Sequence, residues 1–305
     1  LYIKTGSQMR YSQLRAFHFV ALKGGFSRAA AAMHVTQPGV SEQVRKLEQD
    51  YDVLLFNRER KVIALTEAGE QLFLLTKQFF EIEQHIDEYF SEARAEMDGR
   101  IRIIADSARH VTQILAAFRK RYPKVDVLLQ SGNSEDVVDR LRSYDAEIGV
   151  LGALSAGADI ETLDLGKTEI IAFAAKGVVP IGTTHMRLED LAHFPLVFRE
   201  VGSKTRENIE REAQRQGVVL TPVIEAEGRE AMREVVASGA GIGFVSQAEL
   251  GDDPRLIPIA LEGVDLHMSE TIAFLGQRKD LRIIRAFTGV AQDFLNGDGI
   301  AQDLS

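Results

Sequence analysis

Gln37, Pro38, Ser41, Glu42 and Arg45 fall on one side of a short segment whose other side carries Val40, Val44 and Leu47. The apolar set repeats at i, i+4, i+7, the spacing of a helix that buries one stripe, so the polar set faces outward. An amide, a hydroxyl, a carboxylate and a guanidinium on such a face can exchange hydrogen bonds with base edges in a major groove. A helix pair in an ordinary all-helical core has the same pattern, so this stretch alone leaves both readings open.

A second chemistry is spread over the C-terminal two thirds. Ser107, Gly132-Asn133-Ser134 and Gly202-Ser203-Lys204-Thr205-Arg206 each follow an expected strand and open an expected helix. Free N–H groups, hydroxyls and the helix dipole at such positions favour an anion. Each also reads, on its own, as a plain N-cap. The run Glu227-Gly228-Arg229-Glu230 offers acidic groups to a cation, with Glu227 the candidate. The same run suits an ordinary solvated helix start.

Enzymatic chemistry has less to work with. No serine elbow, phosphate-loop lysine or metal-ligand spacing occurs, the seven His are scattered, and Cys is absent. We therefore expect no enzyme, no metal and no cofactor. Gly239, Gly241 and Gly243 follow a helix and lead into a strand, the reverse of a dinucleotide-binding loop, so close packing of two lobes is the expectation there.

The elements that must position these groups follow from periodicity. Leu14, Phe17, Val20 and Ala21 predict a first helix. Phe26 to Met33 and Gln37 onward predict two more, separated by His34-Val35-Thr36, with Ser27 and Thr36 as N-caps and Pro38 in a first turn. The segment LFNRERKVIALTEAG predicts a two-stranded ribbon carrying Arg58, Arg60 and Lys61. Leu72, Leu75, Phe79, Ile82, Ile86, Tyr89 and Ala93 then repeat at alternating spacings of 3 and 4, a heptad seam suited to pairing two subunits. Packing against the chain's own C-terminal domain is the competing account. Beyond Asp98-Gly99, a helix break read as a hinge, strands and helices alternate as βαβαβ, with further strands near Ile170–Ala174, Leu196–Phe198, Val223–Ala226, Ile242–Val245 and Thr271–Phe274. That alternation predicts two α/β lobes around a cleft.

Charge is segregated. Residues 9–66 hold nine Lys/Arg against five Asp/Glu, whereas Glu67 to Ser305 carries a balance of −14 within a whole-chain charge of −9. A basic head on an acidic body suits local phosphate contact. No apolar run reaches the roughly 18 residues of a membrane span. No secretory pattern is present, so a cytoplasmic protein with no membrane partner is expected. Residues 1–8 read as an expression remnant preceding Met9.

Ala29-Ala30, then TQPGVSEQVRKLE, then LFNR and LTEAG at these spacings resemble the DNA-binding domain of LysR-type transcriptional regulators, and the likeness continues over nearly the whole chain. The resemblance implies an N-terminal all-α winged helix-turn-helix (9–66), a long linker helix for dimerisation (67–98) and an α/β two-lobed, periplasmic-binding-protein-like effector domain (99–305). Lobe I is expected over about 100–166 and 268–296, lobe II over about 167–267. It further implies that Ser27, Thr36, Gln37, Pro38, Ser41 and Arg45 serve DNA recognition, that Arg58 and Lys61 lie at the wing, and that Ser107, Ser203 and Thr205, with Asn133 beside them, belong to the effector pocket. Implied partners are double-stranded DNA with a pseudo-palindromic operator, a small effector, a homodimer or homotetramer, and RNA polymerase. Two positions depart from the family pattern: Asp52 stands where Gly is usual, and Glu42 where many members carry a basic or neutral residue.

The runs QSGNSEDVVDRLRSYDAEIGVL and EGREAMREVVASGAGIGFVSQAE resemble the branch of these regulators associated with 2-aminoethylphosphonate breakdown. That zwitterion would set its phosphonate on helix termini and its ammonium on an acid. A small carboxylate or amino acid would satisfy the same amides. The alternative function is a solute-binding receptor on a helical adaptor, with no sequence-specific DNA binding.

Overall fold

The computed structural model describes residues 9–57, 63–91, 97–152 and 157–296. Two compact units divide the chain, one ending at Ala95 and the other beginning at Glu96.

In the first unit, helices α1 (Tyr11–Lys23), α2 (Phe26–Met33) and α3 (Gln37–Tyr51) precede a ribbon of β1 (Phe56–Asn57) and β2 (Ala64–Leu65) and the long helix α4 (Glu67–Ser91). Phe17, Val20, Ala29, Val40, Val44, Leu47 and Leu55 close a single core. Each large aliphatic side chain among them contributes about 1.5–3 kcal/mol on burial. The turn between α2 and α3 is made by His34 in a left-handed conformation (φ 57°), its N–H reaching back to the carbonyls of Ala30 and Ala31. Thr36 then caps α3, its Oγ1 accepting from the Gly39 N–H at 3.3 Å.

Ser27 does not cap α2. That helix begins at Phe26, the cap position is Gly25, and Ser27 lies exposed within the first turn. The chain enters there in an extended conformation with a φ near 180°, and no side-chain acceptor is supplied. At the other end of α3, Asp52 takes φ 50°, the left-handed state that short polar side chains tolerate.

Glu48 and Gly69 fasten the ribbon to its neighbours. Glu48 is buried, and its Oε1 accepts from the amides of Leu55 at 2.9 Å and Phe56 at 3.4 Å. A Cβ at Gly69 would collide with the Leu55 carbonyl oxygen, so only glycine admits this approach. Thr66 Oγ1 accepts from the Gly69 N–H at 3.1 Å and donates to the Leu54 carbonyl at 2.6 Å. The LTEAG sequence is thus a cap and a close contact in one.

The second unit runs β3 (Gly99–Ala105), α5 (Thr112–Arg121), β4 (Val125–Ser131), α6 (Ser134–Arg142), β5 (Ile148–Gly152) and β6 (Ile160–Ala175). It continues with β7 (His185–Arg187), α7 (Leu188–Leu191), β8 (Leu196–Arg199), α8 (Lys204–Gln216), β9 (Pro222–Ala226), α9 (Arg229–Ala237) and β10 (Ile242–Ser246). Helix α10 (Gln247–Leu250), β11 (Leu256–Glu262), β12 (His267–Leu275) and α11 (Arg282–Leu295) complete it. The sheet order is β4-β3-β5-β12-β6-β10-β8-β9, with β11 on β6 and β7 on β11.

Strand β6 belongs to both halves of this sheet. Residues from Ile160 to Glu169 pair antiparallel with β12, and residues from Ile170 onward pair with β10 and β11. Apolarity alone starts the strand at Ile170, whereas it begins at Ile160, because its first part alternates charged residues that hide the pattern. Gly166 sits at the register shift with φ 114°. One half-sheet carries the core of Ile101, Ile103, Phe118, Ile148, Ile272 and Phe287. The other carries Ala172, Leu196, Ile209, Ile242 and Ile259 on one face and Phe173, Val197, Met232 and Val236 on the opposite face.

The glycines near residue 240 pack closely, but inside the second lobe and not between lobes. A Cβ at Gly241 would collide with the Pro195 carbonyl oxygen, and one at Gly243 would meet Val236, Met232 and Phe173.

Candidate functional site

Helix α3 presents Gln37, Pro38 and Arg45 as exposed residues and Ser41 as half-exposed, opposite buried Val40, Val44 and Leu47. Thr36, also exposed, spends its hydroxyl on the cap. Arg45 is not a free cation: its Nε and Nη2 donate to Glu42 at 3.0 and 3.1 Å. Lys46 Nζ lies 3.4 Å from the same carboxylate. The hydrogen bond from Arg45 holds the Glu42 carboxyl below its ordinary range. Glu42 therefore meters the positive charge of this face, a role its residue type did not disclose. Arg58 and Lys61 lie outside the described residues, as do the side chain of Tyr89 and all of Ala93.

On α4, Leu72 is half-buried against the helical core. Leu75, Phe79, Ile82 and Ile86 stand 59%, 45%, 61% and 51% exposed. Four large apolar side chains on one helix are thus left open by their own unit.

A cleft of about 1270 Å³ opens at the carboxyl ends of β3, β4, β8, β9 and β10, the edge of an open α/β sheet where ligands bind. Ser107, Asn133 and Glu227 line it. Ser107 Oγ accepts from the Arg109 N–H at 3.4 Å, at the start of a single 3-10 turn. Asn133 Oδ1 accepts from the amides of Glu135 at 2.9 Å and Asp136 at 3.0 Å, so it caps α6. Its Nδ2 donates across to the Val201 carbonyl at 3.5 Å. Glu227 is exposed at the rim.

Ser203 and Thr205 are not part of the lining. The loop before α8 abuts the start of α6: a Cβ at Gly202 would come within 3.0 Å of Asn133 Nδ2 and 2.9 Å of Glu135 Oε2. Ser203 is buried with its Oγ unpartnered among the described residues, and Thr205 turns its hydroxyl to Met268 Sδ at 3.7 Å. Asn133 and the start of α8 touch, but Ser203 and Thr205 do not converge on the cleft with Ser107.

Five charged side chains do. Asp106, at the end of β3, accepts from Arg199 Nη2 at 3.3 Å and from Arg229 Nη2 at 2.9 Å. Arg199 also pairs with Glu200 at 2.6 Å, and Arg229 with Glu249. Burial alone would raise the Glu200 carboxyl, but hydrogen bonds from Arg199 and the Gly228 N–H hold it below its ordinary value. Asp106 comes from the first lobe and both arginines from the second, so the pairs span the cleft. Residue type hinted at this: Asp106 ends the apolar run IIA and Arg199 ends LVF, and a lone charge after buried strand residues requires a partner.

Among the described residues no group of three or more His, Asp or Glu is placed to hold a metal ion, and no helix is long and apolar enough to cross a membrane.

The two units correspond to two family models. Residues 11–70 match the bacterial regulatory helix-turn-helix protein, lysR family, and residues 94–296 match the LysR substrate binding domain. The RuBisCO operon transcriptional regulator of Allochromatium vinosum is 29% identical over 257 residues, covering 82% of this chain and 85% of that protein. A full-length OxyR variant from Pseudomonas aeruginosa superposes with a TM-score of 0.77 at 19% identity, over 94% of this chain and 95% of that one. Full-length CbnR complexed with its target DNA gives a TM-score of 0.65 at 20% identity, over 93% and 99%.

Proposed function

Given that the chain belongs to the LysR family of transcriptional regulators, we propose that it reads a pseudo-palindromic operator with paired copies of α3 and answers to a small zwitterionic or anionic metabolite held in the cleft, 2-aminoethylphosphonate being our choice. The observation carrying this reading is the exposed polar face of α3, with Gln37, Pro38 and Ser41 outward and the apolar stripe wholly buried. Gln37 and Ser41 have the donors and acceptors to read base edges, and Pro38 and Thr36 set the helix start against the backbone. Arg45, Arg58 and Lys61 supply phosphate contacts. The stripe from Leu75 to Ile86 pairs subunits into a homodimer or homotetramer, which sets half-site spacing. Bound to its operator, such an assembly would meet RNA polymerase.

Ser107, Asn133 and Glu227 contribute to the effector site through their place on the cleft wall. A ligand there acts by preferring one lobe arrangement over another, since equal affinity for both would shift nothing.

Fluorescence anisotropy with labelled promoter fragments flanking the chain's own gene, at two salt concentrations and with or without 2-aminoethylphosphonate, tests both parts. Salt-dependent binding to one fragment, altered by the phosphonate, is expected. Equal binding to all fragments refutes the operator, and an operator complex indifferent to the phosphonate refutes the effector.

A further inference from the structure

Asp106 is the most completely buried carboxylate of the cleft, its side chain 0% exposed, and its two oxygens serve two different guanidiniums. Arg199 is 4% exposed and Arg229 14%. This is the geometry by which a ligand carboxylate or phosphonate would be held: two cations from one lobe on one anion from across the cleft.

We infer that Asp106 is a built-in counter-anion, standing where the acidic group of a ligand would dock on Arg199 and Arg229, and that it thereby restricts the cleft to ligands that carry a cation along with their anion. The inference rests on the cleft being the effector site. Three acids, Asp106, Glu200 and Glu249, surround two arginines, so the cluster already holds one negative charge in excess. Around it, Arg233 is taken up by Asp253 at 3.4 Å, and Glu227 and Glu230 at the rim outnumber Arg109.

A bare anion docking on these buried arginines adds like charge, and it must also evict Asp106 into an unpaired state. A zwitterion exchanges partners without changing the charge count. Its acid takes the arginines, and its ammonium takes the released Asp106. Arg229 has a donor to spare for the exchange, because its buried Nε has no hydrogen-bond partner among the described residues.

The test uses the full chain in two arms. In the first, thermal unfolding is followed with sodium acetate or inorganic phosphate against matched sodium chloride. Asp106→Ala removes the excess negative charge and vacates the place between the two arginines, and is expected to gain a rise of several degrees that the unaltered protein does not show. Asp106→Asn, close in shape, is expected to gain the same response and serves if the alanine variant does not fold. Absence of the gain in the folded variants, or an equal rise in the unaltered protein, overturns the inference.

In the second arm, calorimetry compares 2-aminoethylphosphonate with propylphosphonate and β-alanine with butyrate, pairs differing in the ammonium. The unaltered protein is expected to prefer the zwitterion by about tenfold or more, and Asp106→Asn to lose that preference. Equal affinity of the unaltered protein for both members of a pair overturns the inference. An acetate gain in the variants, with neither zwitterion bound by the unaltered protein, supports the counter-anion and removes 2-aminoethylphosphonate as the effector.

Discussion

Glu42 accepts both donated nitrogens of Arg45, at 3.0 and 3.1 Å, one helical turn apart on the outward face of α3. The pair is solvent-exposed, so it contributes little to stability. Its effect is on what the face offers to a polyanion.

Replacing Glu42 with Gln removes the acceptor charge and leaves Arg45 and Lys46 with their full positive charge. Affinity for every duplex is expected to rise, and the slope of log K against log salt to steepen by about 0.9 for each phosphate gained. Anisotropy titrations across a salt series read this directly. A slope identical to that of the unaltered protein places Arg45 away from phosphate.

Gln37→Ala tests base reading. It removes an exposed amide while leaving the buried Val40, Val44 and Leu47 untouched. The expected cost is about 1–3 kcal/mol at the preferred site with little change on unrelated DNA, so the specificity ratio falls. If both affinities fall equally, Gln37 holds the backbone and not a base.

Ile82→Asp places a charge in the middle of the exposed stripe, at a position 61% exposed in the single chain. Solubility of the isolated subunit should not suffer, whereas an interface with that residue at its centre should fail. Light scattering is expected to report half or less of the unaltered mass at equal concentration. An unchanged mass assigns oligomerisation to another surface.

His18 gives the helical unit a pH dependence. Its ring is buried, Nδ1 lies 3.1 Å from Thr76 Oγ1, and the aromatic rings of Phe19, Phe73 and Phe80 surround it. Burial, with Lys77 adding to it, lowers its pKa from the ordinary 6.5 to about 4. Between those values the unfolded chain binds a proton that the folded one refuses. Stability is therefore intact above pH 6.5 and is lost progressively as pH falls toward 4. His18→Phe should flatten that part of the melting-temperature curve. An unchanged curve would locate the pH response elsewhere.

Much of this architecture is readable from local pattern. The stripe of α3, the Thr36 cap and the alternation of strands and helices all follow from residues within a turn or two of each other. What could not be read is carried by long separations. Asp106 meets Arg199 across 93 residues and Arg229 across 123, and no periodicity links them. Ser203 and Thr205 have the residue types of an anion site, yet both are buried and neither lines the cleft, a fact of tertiary packing. Strand β11 escapes because Pro258 argues against a strand, although it pairs with both β6 and β7.

The double membership of β6 limits how the lobes can answer a ligand. A ribbon hydrogen-bonded on both sides of Gly166 cannot lengthen, so the halves cannot slide apart or separate without breaking sheet pairing. What remains is torsion: rotation absorbed by a few backbone angles near the register shift, where glycine offers the least resistance. The second unit is in this respect a torsion bar, and Gly166, the residue most able to change its stiffness, does not line the cleft.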